Sequence, residues 1–233
     1  MENDVSTTAL MNQTPKIACL PNGPYYLLND MTAAPVPNLR RANGEPCATV
    51  RGVALCRCGG SRNKPFCDGT HSLIGFKDER SANATPNRRE SYAGRRITIH
   101  DNRSICSHAG FCTDRLKSVF RMRVEPWIDA DGASAEEIIE TIKKCPSGAL
   151  SYSVKAVEHR DQEREPAVTV TDDGPYAITG GIELLGVTFG EGASKEHYTL
   201  CRCGASKNKP FCDGSHWQTG FREPADKSRI EKK

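Results

Sequence analysis

Apolar residues along this chain fall in short clusters, separated by Gly, Pro, Asn and charged residues, the pattern of small strand-rich units. Tyr25, Tyr26, Leu27 and Leu28 read as a short strand, followed by Ala54 and Leu55. Gly186, Val187, Thr188 and Phe189, and then Tyr198, Thr199 and Leu200, read the same way. Between these groups the periodicity changes. Arg96-Ile97-Thr98-Ile99 alternates as a strand. Ser134-x-x-Glu137 is a capping box that opens a helix. Ile138, Ile142 and Cys145 recur at helical spacing on one face, and Pro146 ends that helix. Leu150, Tyr152 and Val154 alternate as a closing strand.

The two flanking groups are copies. Residues 56–71 read CRCGGSRNKPFCDGTH and residues 201–216 read CRCGASKNKPFCDGSH. Gly23-Pro24-Tyr25 before the first recurs as Gly174-Pro175-Tyr176, and Gly75-Phe76 after it as Gly220-Phe221. Each copy carries three thiols and an imidazole: Cys56, Cys58, Cys67 and His71, then Cys201, Cys203, Cys212 and His216. Soft and borderline donors held this close in a loop make a metal site. Tetrahedral zinc and a thiolate-bound iron–sulfur cluster both accept such a set, although one residue, Arg57 or Arg202, is a tight spacer for two ligands on one zinc. A disulfide framework fits poorly, because eleven cysteines cannot all pair and His belongs to the repeat.

The string C-x-C-x2-S-x3-P-x-C-D-G-(S/T)-H resembles the CDGSH iron–sulfur domain of mitoNEET-type proteins. Both copies match throughout, including Ser61/Ser206, Pro65/Pro210, Asp68/Asp213 and Gly69/Gly214, with Thr70 for Ser in the first. The resemblance implies a [2Fe–2S] cluster in each copy, with Cys56 and Cys58 on an inner iron and Cys67 and His71 on an outer one. Cys201, Cys203, Cys212 and His216 would repeat this arrangement. A neutral imidazole in place of a thiolate removes negative charge and favours reduction. Asp68 and Asp213 suit a turn or helix N-cap that fixes the following His. Family members pair as two-fold dimers, so two copies in one chain imply an intrachain pseudo-dimer and a monomeric protein. The alternative is a swap between two chains.

The middle of the chain has a third set of thiols. Cys106-x5-Cys112 and the distant Cys145-Pro146 resemble the ferredoxin pattern C-x2-C-x2-C…C-P with its second cysteine missing, the empty slot being Ala109. Three cysteines predict a [3Fe–4S] cluster. A [4Fe–4S] cluster needs an outside ligand, for which His108 is the nearest candidate; the alternatives are a supporting or surface histidine, and a domain that has lost its cluster. Cys19 and Cys47 belong to no ligand pattern and read as small buried hydrophobes or free thiols.

The expected fold class is α+β: two small β-rich CDGSH modules with an inserted α+β ferredoxin-like domain. The organisation read from the chain is a disordered tail over 1–14, a first module over 15–80, the ferredoxin-like domain over 88–156 and a second module over 165–225. Linkers are expected near 81–88 and 158–166.

Composition narrows the function. Apolar content is 37% and mean hydropathy −0.56, and no apolar run approaches the ~20 residues of a membrane span. The N-terminal residues carry acids and no basic stretch, so no export signal is read and a reducing, cytoplasmic location is expected. Net charge is +3, yet from Arg80 to Glu125 ten Lys/Arg face four Asp/Glu. Arg57, Arg62, Lys64, Arg202, Lys207 and Lys209 add charge at the CDGSH loops. These basic residues either dock an acidic redox partner or form a solvated face. Nothing suggests nucleic-acid binding, and with no nucleotide fingerprint or nucleophile elbow, no enzymatic activity is expected. The expectation is electron transfer through two [2Fe–2S] clusters and a third, [3Fe–4S] or [4Fe–4S], to a redox protein. The alternative is a labile-cluster donor or redox/iron sensor with His-gated release.

Overall fold

A computed structural model describes residues 15–28, 38–47 and 52–223, so the proposed 1–14 tail lies outside it, as does the end of the 165–225 module. The fold is a set of small sheets with few short helices. The first half contributes β1 (Lys16–Cys19), β2 (Tyr25–Leu28), β3 (Asn38–Arg41), β4 (Val53–Leu55) and α1 (Thr70–Leu73). The middle contributes β5 (Arg89–Ala93), β6 (Thr98–Asn102), α2 (Phe111–Arg115), α3 (Ala135–Ile142), β7 (Leu150–Val154) and β8 (Val157–His159). The second half contributes β9 (Ala167–Val170), β10 (Tyr176–Thr179), β11 (Glu183–Leu185), β12 (Tyr198–Leu200) and α4 (Ser215–Gln218).

The two halves exchange strands reciprocally. One sheet runs β11-β1-β2-β4 and another β12-β10-β9-β3, with β11 parallel to β1 and β3 parallel to β9. Each sheet therefore takes its outer parallel strand from the other half. Strands of three or four residues cannot close a core alone; here Ile17, Tyr25, Leu27, Val168, Tyr176, Ile178 and Tyr198 bury against one another in one shared core. Tyr25 and Tyr176 meet edge-on at its centre, 6.0 Å between centroids.

The third sheet, β5-β6-β7-β8, is antiparallel and built from the middle of the chain. The predicted capping box is present: Ser134 Oγ accepts from Glu137 N while the Glu137 carboxylate accepts from Ser134 N. Ile138 and Ile142 face inward as the spacing requires. The helix ends at Ile142, before Cys145, which occupies the following turn with its N–H bonded to Ile142 O. The strand expected over 96–99 starts at Thr98 instead, with Ile97 buried just outside it.

The strand expected over 186–189 lies earlier, at Glu183–Leu185. Gly186 has φ +69°, which ends the strand, and Phe189 then packs on Tyr198 and Phe211 from irregular backbone. The expected linkers are also held in place. Asn87 Oδ1 accepts from Glu191 N and Asn102 Nδ2. In the second linker, 157–159 forms β8, and Arg164 pairs bidentately with Glu196 at 2.9 and 2.6 Å. Among the described residues no helix is long and apolar enough to cross a membrane.

Candidate metal centres

Each cluster loop is shaped by its own side chains. Ser61 Oγ donates to Phe66 O and accepts from Asn63 N; Ser206 makes the same pair of bonds with Phe211 and Asn208. Asp68 accepts from Arg62 N and Thr70 N, and Asp213 from Lys207 N and Ser215 N. The N-cap position belongs to Gly69 and Gly214, at φ +87° and +84°, and not to the Asp expected there, so each Asp anchors the helix from one residue before its cap. The short helices α1 and α4 then present His71 and His216.

The donors fall into pairs. Cys56 and Cys58 have their sulfurs 3.7 Å apart, and Cys201 and Cys203 3.8 Å. Cys67 Sγ is 3.3 Å from His71 Nδ1, and Cys212 Sγ 3.4 Å from His216 Nδ1. Two thiolates on one tetrahedral ion at about 2.3 Å each stand about 3.8 Å apart, so the sulfur pairs have the spacing of two ligands sharing one ion. In each cysteine pair the shared S–H···S bond favours the thiolate at one sulfur, lowering Cys56 in the first copy and Cys203 in the second. The same bond, with burial, raises Cys58 and Cys201. The free thiolate form that metal binding needs is thus favoured at one position of each pair. Backbone N–H groups of Gly60 and Ala205 point at Cys58 and Cys203 Sγ, each 3.4 Å away.

The residue between the first two cysteines, a loop cation by sequence, is instead enclosed. Arg57 and Arg202 are buried at 3% and 1% exposure. Arg57 donates to Gly23 O, Leu20 O and Asp78; Arg202 donates to Gly174 O, Thr171 O and Glu223. Each guanidinium also stacks over a Tyr and a Phe, Tyr25 and Phe76 or Tyr176 and Phe221. The flanking Gly-Pro-Tyr and Gly-Phe repeats are the surroundings of this arginine. Lys64 and Lys209 lie over Phe221 and Phe76 of the opposite half, leaving Arg62 and Lys207 as the exposed loop cations.

The two CDGSH loops meet back to back. Cys58 and Cys203 form an antiparallel bridge, and a Cβ on Gly59 or Gly204 would fall 2.3 or 2.4 Å from the opposite cysteine's carbonyl. Tyr25 Oη donates to Cys201 O and Pro210 O, and Tyr176 Oη to Cys56 O and Pro65 O. Each half therefore holds the other's cluster loop.

Cys106, Cys112 and Cys145 are brought together as lining of one cavity of about 650 Å³, with Ala109 in the slot between the first two. Burial pushes Cys106 up to about 12 and Cys112 up to about 11. His108 sits at φ +53°, its ring against Gly214 and its carbonyl accepting from Trp217 Nε1 at 3.3 Å. Asn208 Nδ2 donates to Ser104 O on the same side. The middle unit thus packs on the second CDGSH loop. Asp101 lies buried in the cysteine cavity with no side-chain hydrogen-bond partner; the sequence signals it only by its place two residues after Ile99 on one strand face. Burial pushes its carboxyl up to about 7. Cys19 and Cys47 are half-buried and lie beside the shared core.

These donor sets define an iron–sulfur cluster-binding protein. The family described as "Iron-binding zinc finger CDGSH type" matches residues 22–72 and 173–217, and the one described as "Divergent 4Fe-4S mono-cluster" matches residues 92–155. Proteins named "Uncharacterized protein YjdI" from Escherichia coli K12 and O157:H7 are each 36% identical over 64 residues, 28% of this chain and 84% of theirs. No solved structure matches significantly. The chain thus carries two CDGSH-type iron-binding segments flanking a divergent mono-cluster segment.

Proposed function

We propose that this protein transfers electrons, and that its CDGSH halves form an intrachain pseudo-dimer holding two [2Fe–2S] clusters. The middle unit is then an inserted ferredoxin-like domain holding a [3Fe–4S] or [4Fe–4S] cluster. The binuclear reading draws on the pairing of the donors, Cys with Cys and Cys with His, in each loop. When bound, the clusters supply one-electron chemistry. The chain's own residues hold the three donor sets in a row. The observation that carries the proposal is that row: the middle unit's His108 rests on Gly214 of the second loop, and that loop's Cys203 bridges to Cys58 of the first. No catalytic role is assigned, and the partner is another redox protein.

One observation favours a second reading, a labile-cluster donor or a redox or iron sensor in which His71 and His216 gate release. Helix α1 lies at the surface, with Leu73 88% and Ile74 55% exposed beside His71. The two readings separate in an anaerobic redox titration followed by EPR and iron analysis. Electron transfer requires all clusters to survive repeated reduction and reoxidation, with spin–spin broadening between the middle and second sites in the fully reduced state. Iron lost on each cycle without such broadening would favour the donor or sensor.

A further inference from the structure

The middle cavity contains a carboxylate that a three-cysteine site leaves unused. Asp101 lies on the inward face of β6, 1% exposed, and neither carboxylate oxygen has a hydrogen-bond partner. A buried carboxylate without a partner is costly, and chains retain one where something binds it. Its nearest cation, Arg103 Nε, is 3.8 Å away, and Nη1 of the same guanidinium is 4.0 Å from Cys106 Sγ. Carboxylate and thiol thus share a neighbour. On the other side, the β6–β7 register sets Asp101 opposite Leu150, and Asn102 N bonds to Ala149 O at the end of the turn that carries Cys145. Asp101 lines the same cavity as Cys106, Cys112 and Cys145.

A cube of four irons held by three thiolates has one iron without a protein ligand, and that iron is the one readily lost to leave [3Fe–4S]. Ala109 offers no donor, and the His108 ring lies against Gly214. We infer that Asp101 is the fourth ligand of a [4Fe–4S] cluster, its carboxylate oxygen binding the iron that no cysteine reaches. Carboxylate oxygen is an ordinary donor to iron, and ligation would satisfy the orphaned group. This inference rests on the middle unit being a cluster site.

The test is iron content and EPR of anaerobically purified full chain, wild type against Asp101→Asn, Asp101→Cys and His108→Ala. The expected wild type has about eight irons, four from the CDGSH pair and four from the middle, and is silent when oxidised. Asp101→Asn should fall to about seven irons and show the oxidised-state signal of [3Fe–4S]. The CDGSH clusters of the same chain report through their visible absorption that the variant folds. Asp101→Cys should keep the iron and alter the EPR signal and potential of the reduced middle cluster, and this variant decides the matter should Asp101→Asn fail to fold. A wild type with about four irons overturns the reading of the middle unit as a cluster site. A wild type with a [3Fe–4S] signal leaves that reading standing and overturns ligation by Asp101. Ligation is equally overturned by a silent eight-iron Asp101→Asn, by an unchanged signal in Asp101→Cys, or by iron loss in His108→Ala instead.

Discussion

The residue that most changes the picture of this chain is the arginine between the first two cysteines of each motif. Its charge, read along the sequence, suggests a docking surface. Burial at 1% for Arg202, with a 2.6 Å ion pair to Glu223 and bonds to Gly174 O and Thr171 O, makes it the tie between the cluster loop and the segments before and after. Removing Arg202 takes the donor from two carbonyls and leaves Glu223 only its longer, 3.4 Å pair with Arg41, a loss toward the lower end of about 3–5 kcal/mol. Arg202→Gln should therefore lower the denaturation free energy by about that much. Arg62→Gln, at an exposed site, should stay within about 0.5 kcal/mol. Equal effects of the two substitutions in chemical denaturation would refute this assignment. The ligand types and their spacing were legible in the sequence because a motif is local. The role of Arg202 was not, since residue type cannot tell a solvated guanidinium from one enclosed by carbonyls and rings.

At the scale of elements, the strands containing Tyr25, Leu55, Leu150 and Tyr198 were legible from their apolar runs, and α3 from its capping box. The exchanged strands were not. β3 reads Asn-Leu-Arg-Arg and β11 Glu-Leu-Leu, and each becomes a strand because a parallel partner, β9 or β1, waits in the other half. Pattern fixes which face of a strand is buried and leaves its partner open. The exchange makes the dependence between halves reciprocal, and that can be measured. Tyr25→Phe removes the hydroxyl shared by Cys201 O and Pro210 O; Pro210 O keeps its bond from Cys201 N, while the buried Cys201 O loses its donor, at a cost of about 1–3 kcal/mol. The substitution lies in the first half, yet the second cluster should be the one lost faster. Tyr176→Phe should reverse the pattern through Cys56 O and Pro65 O. Cluster loss timed by visible absorption in single-site backgrounds, Cys67→Ser or Cys212→Ser, decides it. Loss confined to the substituted half would mean that the halves stand independently.

Across the whole molecule, the near-symmetry of the two CDGSH halves is broken by where the middle unit sits. It packs on the second loop: His108 covers Gly214, and Ser194 N and the chain near His197 close on Gly148. Burial follows this contact. His216 and Cys212 are 4% and 2% exposed, whereas the corresponding His71 and Cys67 are only half-buried, and Leu73 stands open to solvent beside them. Two sites of the same ligand chemistry thus differ in access, the second enclosed between its twin and the middle unit, the first turned outward. Challenged with a strong iron chelator at constant pH, the protein should lose its CDGSH clusters in two phases of similar amplitude. Cys67→Ser should remove the fast phase and Cys212→Ser the slow one. His108→Gly, which uncovers Gly214 and leaves every CDGSH ligand in place, should accelerate the slow phase several-fold toward the fast. A single phase in the wild type, or a slow phase indifferent to His108→Gly, would mean that access does not distinguish the sites. The proposed row from middle unit to first loop would then lack the outward-facing end that an exchange of electrons with a partner requires.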